Sequence, residues 1–196
     1  MRIDSELLED AIENSSKEPV FRLYAWNPKC ISLGRNQKDD FLRDNSIDVV
    51  RRLTGGRALL HDDEITYSYV APIINGESVV DSYKAISGIL IDFFKTLGIE
   101  LDFGENKRVS THFDYCMLLS TGADVCYNGK KIIGSAQYRK QGYLLQHGSI
   151  LFGYDKSLLE SLFHEEVKGI TTIKEILPDI SKDKFVSLLE DFIQKL

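Results

Sequence analysis

The 196-residue chain has few cysteines, no long apolar run and no excess of positive charge. Its three cysteines are an odd number without metal-ligand spacing, which argues against a disulfide framework and indicates a reducing compartment. No apolar run approaches the ~20 residues of a membrane-spanning helix, and the first residues lead into a polar helix, unlike a signal peptide. We therefore expect a cytoplasmic protein that does not act at a membrane.

The charge balance limits the class of partner. Lysine and arginine number 24 against 30 aspartates and glutamates, a formal net charge of −6, so wholesale nucleic-acid binding is not expected. The basic residues nevertheless occur in short groups that can form a local patch for an acidic partner or an anionic ligand. These groups are Arg51, Arg52 and Arg57; Lys107 and Arg108; Lys130 and Lys131; and Arg139 and Lys140.

Composition and periodicity predict an α+β fold. The hydrophobic fraction of 43% and the charged fraction of 28% are those of an ordinary globular protein. Asp81-Ser82 is predicted to cap the clearest helix, and Asn128-Gly129 to join two strands in a hairpin. We expect one domain over residues 1–196, with a mixed, mostly antiparallel sheet flanked by helices. The predicted helices cover 3–13, 83–97, 156–163 and 182–196, and the predicted strands 20–26, 30–33, 47–53, 65–71, 123–127, 131–139 and 143–152.

The stretch at 51–70 has the features of a ligand-binding loop. Two arginines lead into the pair Gly55-Gly56, and a short apolar run then ends at His61. Paired glycines let the backbone approach a ligand closely, and arginines offer fixed forks of donors. The stretch lacks the motifs GxSxG, GxxxxGK[ST] and GxGxxG of hydrolases, kinases and dinucleotide-binding proteins. On these residues alone, a tight turn with solvated arginines remains the alternative.

Several ordered motifs together resemble the lipoate–biotin ligase and acyltransferase superfamily. The resemblance covers about residues 3–155 and implies a catalytic domain of the biotin and lipoate ligase type. It is carried by RRLTGGRALLHD at 51–62, NGKKIIGSAQ at 128–137, LQHGSIL at 145–151 and the segment 24–37, which ends in SLGRNQ.

Two details resemble the acyltransferases of this superfamily more than its ATP-dependent ligases. Ligases usually carry three glycines after the arginine pair, whereas Arg57 occupies the third place here. The related octanoyltransferases and amidotransferases have a nucleophilic cysteine about fourteen residues before the hairpin lysines, and Cys116 has that separation from Lys130. Ligases also use a C-terminal accessory domain, which we do not expect in this chain.

The resemblance implies roles for individual residues. Cys116, after a polar and irregular segment at 102–115, would be the nucleophile, and Lys131 the active-site lysine. Cys126 is a rival nucleophile, but it alternates within a predicted strand and is interpreted as structural, as is Cys30. No metal site and no cofactor are expected. The acyl-binding set implied by the family comprises Arg52, Gly55, Gly56, Arg57, His61, Gly134, Ser135 and His147.

The implied reaction is the transfer of an octanoyl group from acyl carrier protein to a lysine of a lipoyl domain or a glycine-cleavage H protein. A thioester is already activated, so no ATP is required, and attack by a cysteine divides the transfer into two easier steps. A nearby cation such as Lys131 would favour the thiolate and hold the carbonyl oxygen as negative charge develops.

Three alternatives remain open. The chain could be a lipoyl or octanoyl amidotransferase that uses the same cysteine with a different donor. It could be an ATP-dependent lipoate–protein ligase that requires an accessory subunit. Finally, it could be a non-catalytic acyl-binding module, in which case Cys116 would be unreactive.

Overall fold

The computed structural model describes residues 1–40, 42, 47–104, 115–118, 122 and 124–196. Helices and strands both contribute, which confirms the predicted α+β class. In chain order the elements are α1 (Arg2–Glu13), β1 (Val20–Tyr24), β2 (Cys30–Leu33), β3 (Asp48–Arg51), β4 (Leu59–His61), β5 (Glu64–Pro72), α2 (Val79–Thr96), β6 (Asp102–Phe103), a 3₁₀ turn (Cys116–Leu118), β7 (Val125–Tyr127), β8 (Lys130–Lys140), β9 (Tyr143–Leu151), α3 (Lys156–Phe163), α4 (Ile173–Ile176) and α5 (Lys182–Ile193).

The strands form two sheets. The larger is antiparallel with the order β1-β5-β9-β8-β7-β6, and its central strands β5 and β9 are paired from Glu64–Leu151 to Pro72–Tyr143. The smaller has the order β3-β2-β4, with β2 parallel to β3 and antiparallel to β4. The predicted mixed, mostly antiparallel pairing is confirmed. Its division into two sheets was not predicted.

The helix α2 begins four residues earlier than predicted. Ser78 is its N-cap: the Ser78 hydroxyl accepts from the Asp81 backbone N–H, and the Asp81 carboxylate accepts from the Ser78 N–H. Asp81 therefore belongs to the capping box as its third helical residue, not to the cap itself. Val79 and Val80 are exposed, so the first turn does not share the buried apolar stripe of the rest of α2. The stripe therefore did not indicate that the helix begins at Val79.

The other boundaries follow the hydrophobic pattern closely. Strand β2 has the predicted bounds, and the hairpin at Asn128-Gly129 joins β7 to β8 as expected. The short elements β4 and α4 were not predicted. Of the irregular segment predicted at 102–115, the first two residues pair as β6, and 105–114 lie outside the described residues, as does position 123 of the predicted strand 123–127.

The two faces of the large sheet differ in character. Helices α2 and α5 cover one face, where Phe185 packs against Phe93 and Phe94 with ring centroids 5.2 and 5.5 Å apart. Helix α1 packs against the other face through Leu8. On that second face, alternate residues of β5 and β9 are polar although buried: Glu64, Thr66, Ser68, His147 and Ser149. None of the helices in the described ranges is both long and apolar enough to cross a membrane.

The glycine loop at 52–57, between β3 and β4, lies directly against the end of β2. An ideal Cβ on Gly34 would lie 1.9 Å from the carbonyl oxygen of Gly56. We expect Gly34→Ala to lower the free energy of unfolding by about 3 kcal/mol, since the overlap is with backbone that cannot rotate away. Urea denaturation measures the change.

The matched control is Gly88→Ala in α2. A Cβ there meets nothing within 4 Å, so the substitution should raise the free energy of unfolding by roughly 0.5–1 kcal/mol through helix propensity alone. Equal stability of Gly34→Ala and wild type would contradict the close approach of the loop to β2.

Candidate active site

The buried guanidinium of Arg52 shapes the glycine loop. Its Nη2 donates to the carbonyl oxygens of Gly55 at 3.0 Å and Arg57 at 2.6 Å, and its Nη1 donates to the carbonyl oxygen of Ser32 at 2.9 Å. These bonds tie both arms of the loop to β2 of the small sheet. Gly56 has a φ of +92°, a conformation that favours glycine, so the loop residues and the arginine fit together.

Two cavities meet at the loop. The narrow one lies between the small sheet and strands β8 and β9, and its volume is about 30 Å³. That is room for about two water molecules, so a larger ligand could enter only if side chains moved. Met1 and Met117, the only two methionines of the chain, both line it, and methionine side chains are the most adaptable apolar ones.

The wider cavity is an open cleft of about 370 Å³ on the other side of the loop. The predicted acyl-binding residues divide between the two cavities, and only Ser135 lines both. Arg52, His61, Gly134, Ser135 and His147 line the narrow cavity, whereas Gly55, Gly56, Arg57, Lys131 and Ser135 line the cleft.

Cys116 lies at the junction of the two cavities and lines both. Its backbone N–H donates to the carbonyl oxygen of Ala58 at 2.8 Å, next to a parallel bridge between Ala58 and Tyr115, so the residue just before β4 fixes its position. Cys116 is partly exposed. Cys30 and Cys126 are 4% exposed, which agrees with their interpretation as structural residues.

Lys131 is buried beside Cys116. Its Nζ forms an ion pair with Asp124 Oδ1 at 3.0 Å and donates to the main-chain carbonyl oxygen of Cys116 at 3.2 Å. A Cβ on Gly134 would lie 2.9 Å from Lys131 Cε and 2.7 Å from Met117 Sδ. Glycine at 134 therefore leaves the space that the lysine and the methionine occupy.

His61 is held on both ring nitrogens. Nδ1 contacts Glu64 Oε1 at 2.5 Å, Nε2 contacts Ser32 Oγ at 2.7 Å, and the ring stacks on Trp26 with centroids 4.2 Å apart. Burial alone would raise the pKa of Glu64, but its contacts with His61 lower that pKa below the usual value. These contacts make His61 a residue that orients the wall of the narrow cavity.

His147, from the opposite sheet, is hydrogen-bonded through one ring nitrogen, and its other ring nitrogen has only a longer contact with a carboxylate. Its Nε2 contacts Thr54 Oγ1 at 2.7 Å, and its Nδ1 lies 3.5 Å from Asp4 Oδ2. Asp4, buried in α1, also accepts from Arg22 Nη1 at 2.8 Å and from Tyr24 OH at 2.7 Å. Burial lowers the pKa of His147, with Asp4 opposing.

Sequence reasoning missed several residues of this site. Thr54 and Asp4 both face His147, which lies far along the chain, so no local pattern identified them. Asp124 lies only seven residues before Lys131, but it belongs to no motif. Ser32 carried a signal that could have been used, because it is a polar residue within the otherwise apolar, buried strand β2. Glu64 begins a strand that also contains Thr66 and Ser68, so it did not stand out in this way. Within the described residues, no three histidine, cysteine or acidic side chains are grouped as a metal site would require.

Comparison with known proteins assigns the chain to a family. The family model described as the lipoyl protein ligase A/B catalytic domain matches residues 1–194. The chain belongs to that family. In agreement with the fold, it superimposes on a lipoate-protein ligase A bound with ATP with a TM-score of 0.76 at 22% identity, covering 98% of this chain and 79% of that one.

A second solved structure has the same fold. The bi-partite lipoate protein ligase of Thermoplasma acidophilum gives a TM-score of 0.70 at 19% identity, covering 98% of this family member and 77% of that chain.

Curated relatives include proteins named Octanoyltransferase LipM. The protein of Carboxydothermus hydrogenoformans is 42% identical over 165 residues, which are 79% of this family member and 61% of the relative. The protein of Clostridioides difficile is 40% identical over 176 residues, 83% of this chain and 63% of the relative. The matched region thus spans about three fifths of the length of these relatives.

The pair Lys131–Asp124 gives a stability prediction. Asp124→Ala removes the carboxylate that faces a 2% exposed lysine side chain, and we expect the free energy of unfolding to fall by about 3–5 kcal/mol. The control is Asp62→Ala, which removes the more exposed pair Lys29–Asp62 and should cost below ~1 kcal/mol. Urea denaturation of both variants measures the difference, and equal losses would contradict the buried pairing.

The pKa of Asp4 gives a prediction for acid stability. Burial would raise this pKa, but contacts with His147 and Tyr24 lower it from 3.8 to about 2. The resulting stabilisation is complete above the unfolded pKa near 3.9 and is lost as the pH falls towards 2. We therefore expect the melting temperature of Asp4→Asn to fall less between pH 5 and pH 2 than that of wild type, because the variant has no carboxylate to protonate at position 4. Melting curves recorded over this pH range measure the difference. An equal fall in melting temperature for Asp4→Asn and wild type would show that Asp4 makes no such contribution.

Proposed function

We propose that this protein is an octanoyltransferase that moves an octanoyl group from acyl carrier protein to a lysine of a lipoyl domain or a glycine-cleavage H protein. One observation carries the proposal: the partly exposed thiol of Cys116 lies where a narrow cavity meets an open cleft. The names of the relatives at 42% and 40% identity support the same activity. Residues 1–196 would form one catalytic domain acting in the cytoplasm.

In the first step, the narrow cavity takes the acyl chain and presents its carbonyl carbon to Cys116. The thiolate attacks that carbon, the new carbon–sulfur bond to Cys116 forms, and the carrier thiol leaves with a proton. Each buried methylene contributes ~0.8 kcal/mol, so the depth of the cavity selects the length of the chain. The two adaptable methionines allow the cavity to widen as the chain enters.

Lys131 supplies positive charge at the reacting end. Its ammonium is fixed by Asp124 and by the main-chain carbonyl of Cys116, so it is positioned before the substrate arrives. A buried, preorganised cation stabilises the thiolate before attack and the developing oxyanion during it. Because the lysine lines the cleft, this charge acts on the side from which the donor thioester enters.

In the second step, the acceptor lysine approaches through the cleft. Its neutral amine attacks the acyl-enzyme carbonyl, the amide bond forms as the carbon–sulfur bond to Cys116 breaks, and the departing thiolate takes up the proton that the amine loses. The ring nitrogens of His61 and His147 face Glu64 and Ser32, and Asp4 and Thr54, respectively. Neither histidine is therefore assigned as the acid or base of this step.

The cleft also favours a second candidate, an ATP-dependent lipoate–protein ligase with an accessory subunit. Arg57 and Lys131 line this space of about 370 Å³, and their positive charges suit a polyphosphate. An amidotransferase would use the same cysteine and the same two cavities and differ only in its donor. A non-catalytic module would bind the acyl chain without forming an acyl-enzyme.

The deciding experiment is intact-protein mass spectrometry after mixing with octanoyl-acyl carrier protein in the absence of ATP. We expect a thiol-labile octanoyl adduct on wild type and on Cys126→Ser, and no adduct on Cys116→Ser. Cys126→Ser is the matched control because this cysteine is buried in β7. An octanoylated H protein offered as donor tests the amidotransferase in the same assay.

Two results would overturn the proposal that this protein is an octanoyltransferase. Lysine modification of an acceptor only when octanoate and ATP are both supplied would establish a ligase and make Cys116 a bystander. Tight octanoate binding with no adduct from any donor would establish a binding module.

The role of Lys131 is tested by comparing its substitution with the same substitution at Lys130, the preceding residue of the hairpin. Lys131→Met should slow adduct formation by about 100-fold or more, because the preorganised cation is lost. Lys130→Met should stay within about twofold of wild type, since Lys130 is exposed and lines neither cavity. Single-turnover mass spectrometry measures both rates, and equal effects would remove Lys131 from the mechanism.

A further inference from the structure

The glycine loop is attached to both sheets that enclose the narrow cavity. On the small-sheet side, Arg52 Nη1 bonds to the carbonyl oxygen of Ser32, and the Arg35 N–H donates to the carbonyl oxygen of Thr54 at 2.9 Å. On the large-sheet side, the hydroxyl of Thr54 contacts Nε2 of His147, which belongs to β9. Residue 54 thus joins the two walls of the cavity, with its backbone on one and its side chain on the other.

We propose that Asp4, His147 and Thr54 form a buried carboxylate–imidazole–hydroxyl chain that sets the position of the glycine loop. Asp4 and His147 are then positioning residues: they act on the acyl group through the loop. This extends the acyl-binding role that family resemblance implies for His147. The kinetic part of the inference depends on the proposed octanoyl transfer, whereas the structural part does not.

Burial makes this chain rigid. Asp4 is 1% exposed, Thr54 0% and His147 5%, so water does not compete for their polar atoms. Arg22 and Tyr24 also hold the carboxylate of Asp4, at 2.8 and 2.7 Å. A carboxylate fixed by three partners from two strands has little freedom to follow movements of the histidine.

The carboxylate also selects the protonation pattern of the ring. Nδ1 of His147 faces Asp4 Oδ2 at 3.5 Å, a long electrostatic contact that favours the proton on Nδ1. Nε2 then carries a lone pair, and the Thr54 hydroxyl donates to it at 2.7 Å. The neutral ring of His147 therefore accepts a hydrogen bond from Thr54 and fixes the loop relative to α1 and β9.

The consequence for the site is the spacing between its walls. The hydrogen bonds that the Arg52 guanidinium and the Thr54 backbone make with Ser32 and Arg35 lead to the small-sheet side, so the Thr54–His147 contact is what ties Thr54 to the large sheet. Without this contact, the loop could move with the small sheet, and the cavity between the two sheets would lose its fixed width. Binding of the acyl chain would weaken, while Lys131, held by Asp124 and Cys116, would keep its place.

Four variants and one double variant test this chain. Thr54→Val removes the hydroxyl with little change of shape, and Thr54→Ser retains it. Asp4→Asn removes the charge, and Asp4→Asn/Thr54→Val completes a double-mutant cycle. Tyr24→Phe is the matched control, because it removes another contact of Asp4 and leaves His147 untouched.

The first readout is amide hydrogen exchange of residues 52–57, followed by mass spectrometry. We expect about tenfold faster exchange in Thr54→Val, wild-type exchange in Thr54→Ser and Tyr24→Phe, and a smaller increase in Asp4→Asn. The double variant should be no faster than Thr54→Val, since both substitutions break one chain. This readout does not require any enzymatic activity.

The second readout is the kinetics of Cys116 octanoylation. Thr54→Val should raise the KM for octanoyl-acyl carrier protein about tenfold and leave the rate at saturation within about twofold, with Thr54→Ser restoring the KM. Loss of stability alone would not separate KM from kcat in this way.

Three outcomes would overturn the inference. These are unchanged loop exchange in Thr54→Val, additive effects in the double variant, or a Tyr24→Phe effect equal to that of Asp4→Asn, which would reduce Asp4 to an anchor of α1. If wild type forms no octanoyl adduct, the proposed function fails instead, and the exchange results still decide whether the chain positions the loop.

Discussion

The charge of Arg52, taken out of water, is the constraint on which the site depends. A guanidinium can be buried only where its donors find acceptors, and here the acceptors are main-chain carbonyls of β2 and of both arms of the glycine loop. The requirement works in both directions. The loop has to curve around the guanidinium, which Gly56 permits, and β2 has to end beside it, which Gly34 permits. Replacing Arg52 would leave these carbonyl groups without their donor, whereas a side chain at Gly34 would overlap the carbonyl of Gly56.

From that centre, the polar interior extends in two directions. Ser32 links the arginine to His61 and Glu64, and Thr54 links the loop to His147 and Asp4. Each branch places a carboxylate behind a histidine and a hydroxyl in front of it. Such buried networks contribute less to stability than apolar packing would, but once satisfied they permit only one arrangement. For the acyl transfer proposed above, a fixed geometry around Cys116 would matter more than the extra stability.

Much of the fold followed from the sequence because its signals are local. The period of 3.6 residues located α2, alternation located β2, and Asn128-Gly129 located the hairpin. The site was harder to predict for a physical reason. Thr54 and His147 are 93 residues apart and meet only after two sheets have packed together, so no window of sequence contains their pairing. Cys116, Lys131 and Arg52 were identified through family resemblance, whereas Asp124, whose pairing with Lys131 is equally direct, carried no motif.

The two cavities that meet at Cys116 differ in which of their residues can be substituted without disturbing the fold. Most residues lining the narrow cavity belong to strands of the two sheets, so altering those residues disturbs the fold. The cleft instead includes Arg57, whose carbonyl is fixed by Arg52 while its side chain lines the open side. A residue at that position can therefore change without moving the loop. In the proposed reaction, the narrow cavity would take the acyl chain and the cleft would receive the donor and the acceptor. We therefore expect substitution of Arg57 to alter how the donor and acceptor are handled without loss of acyl binding.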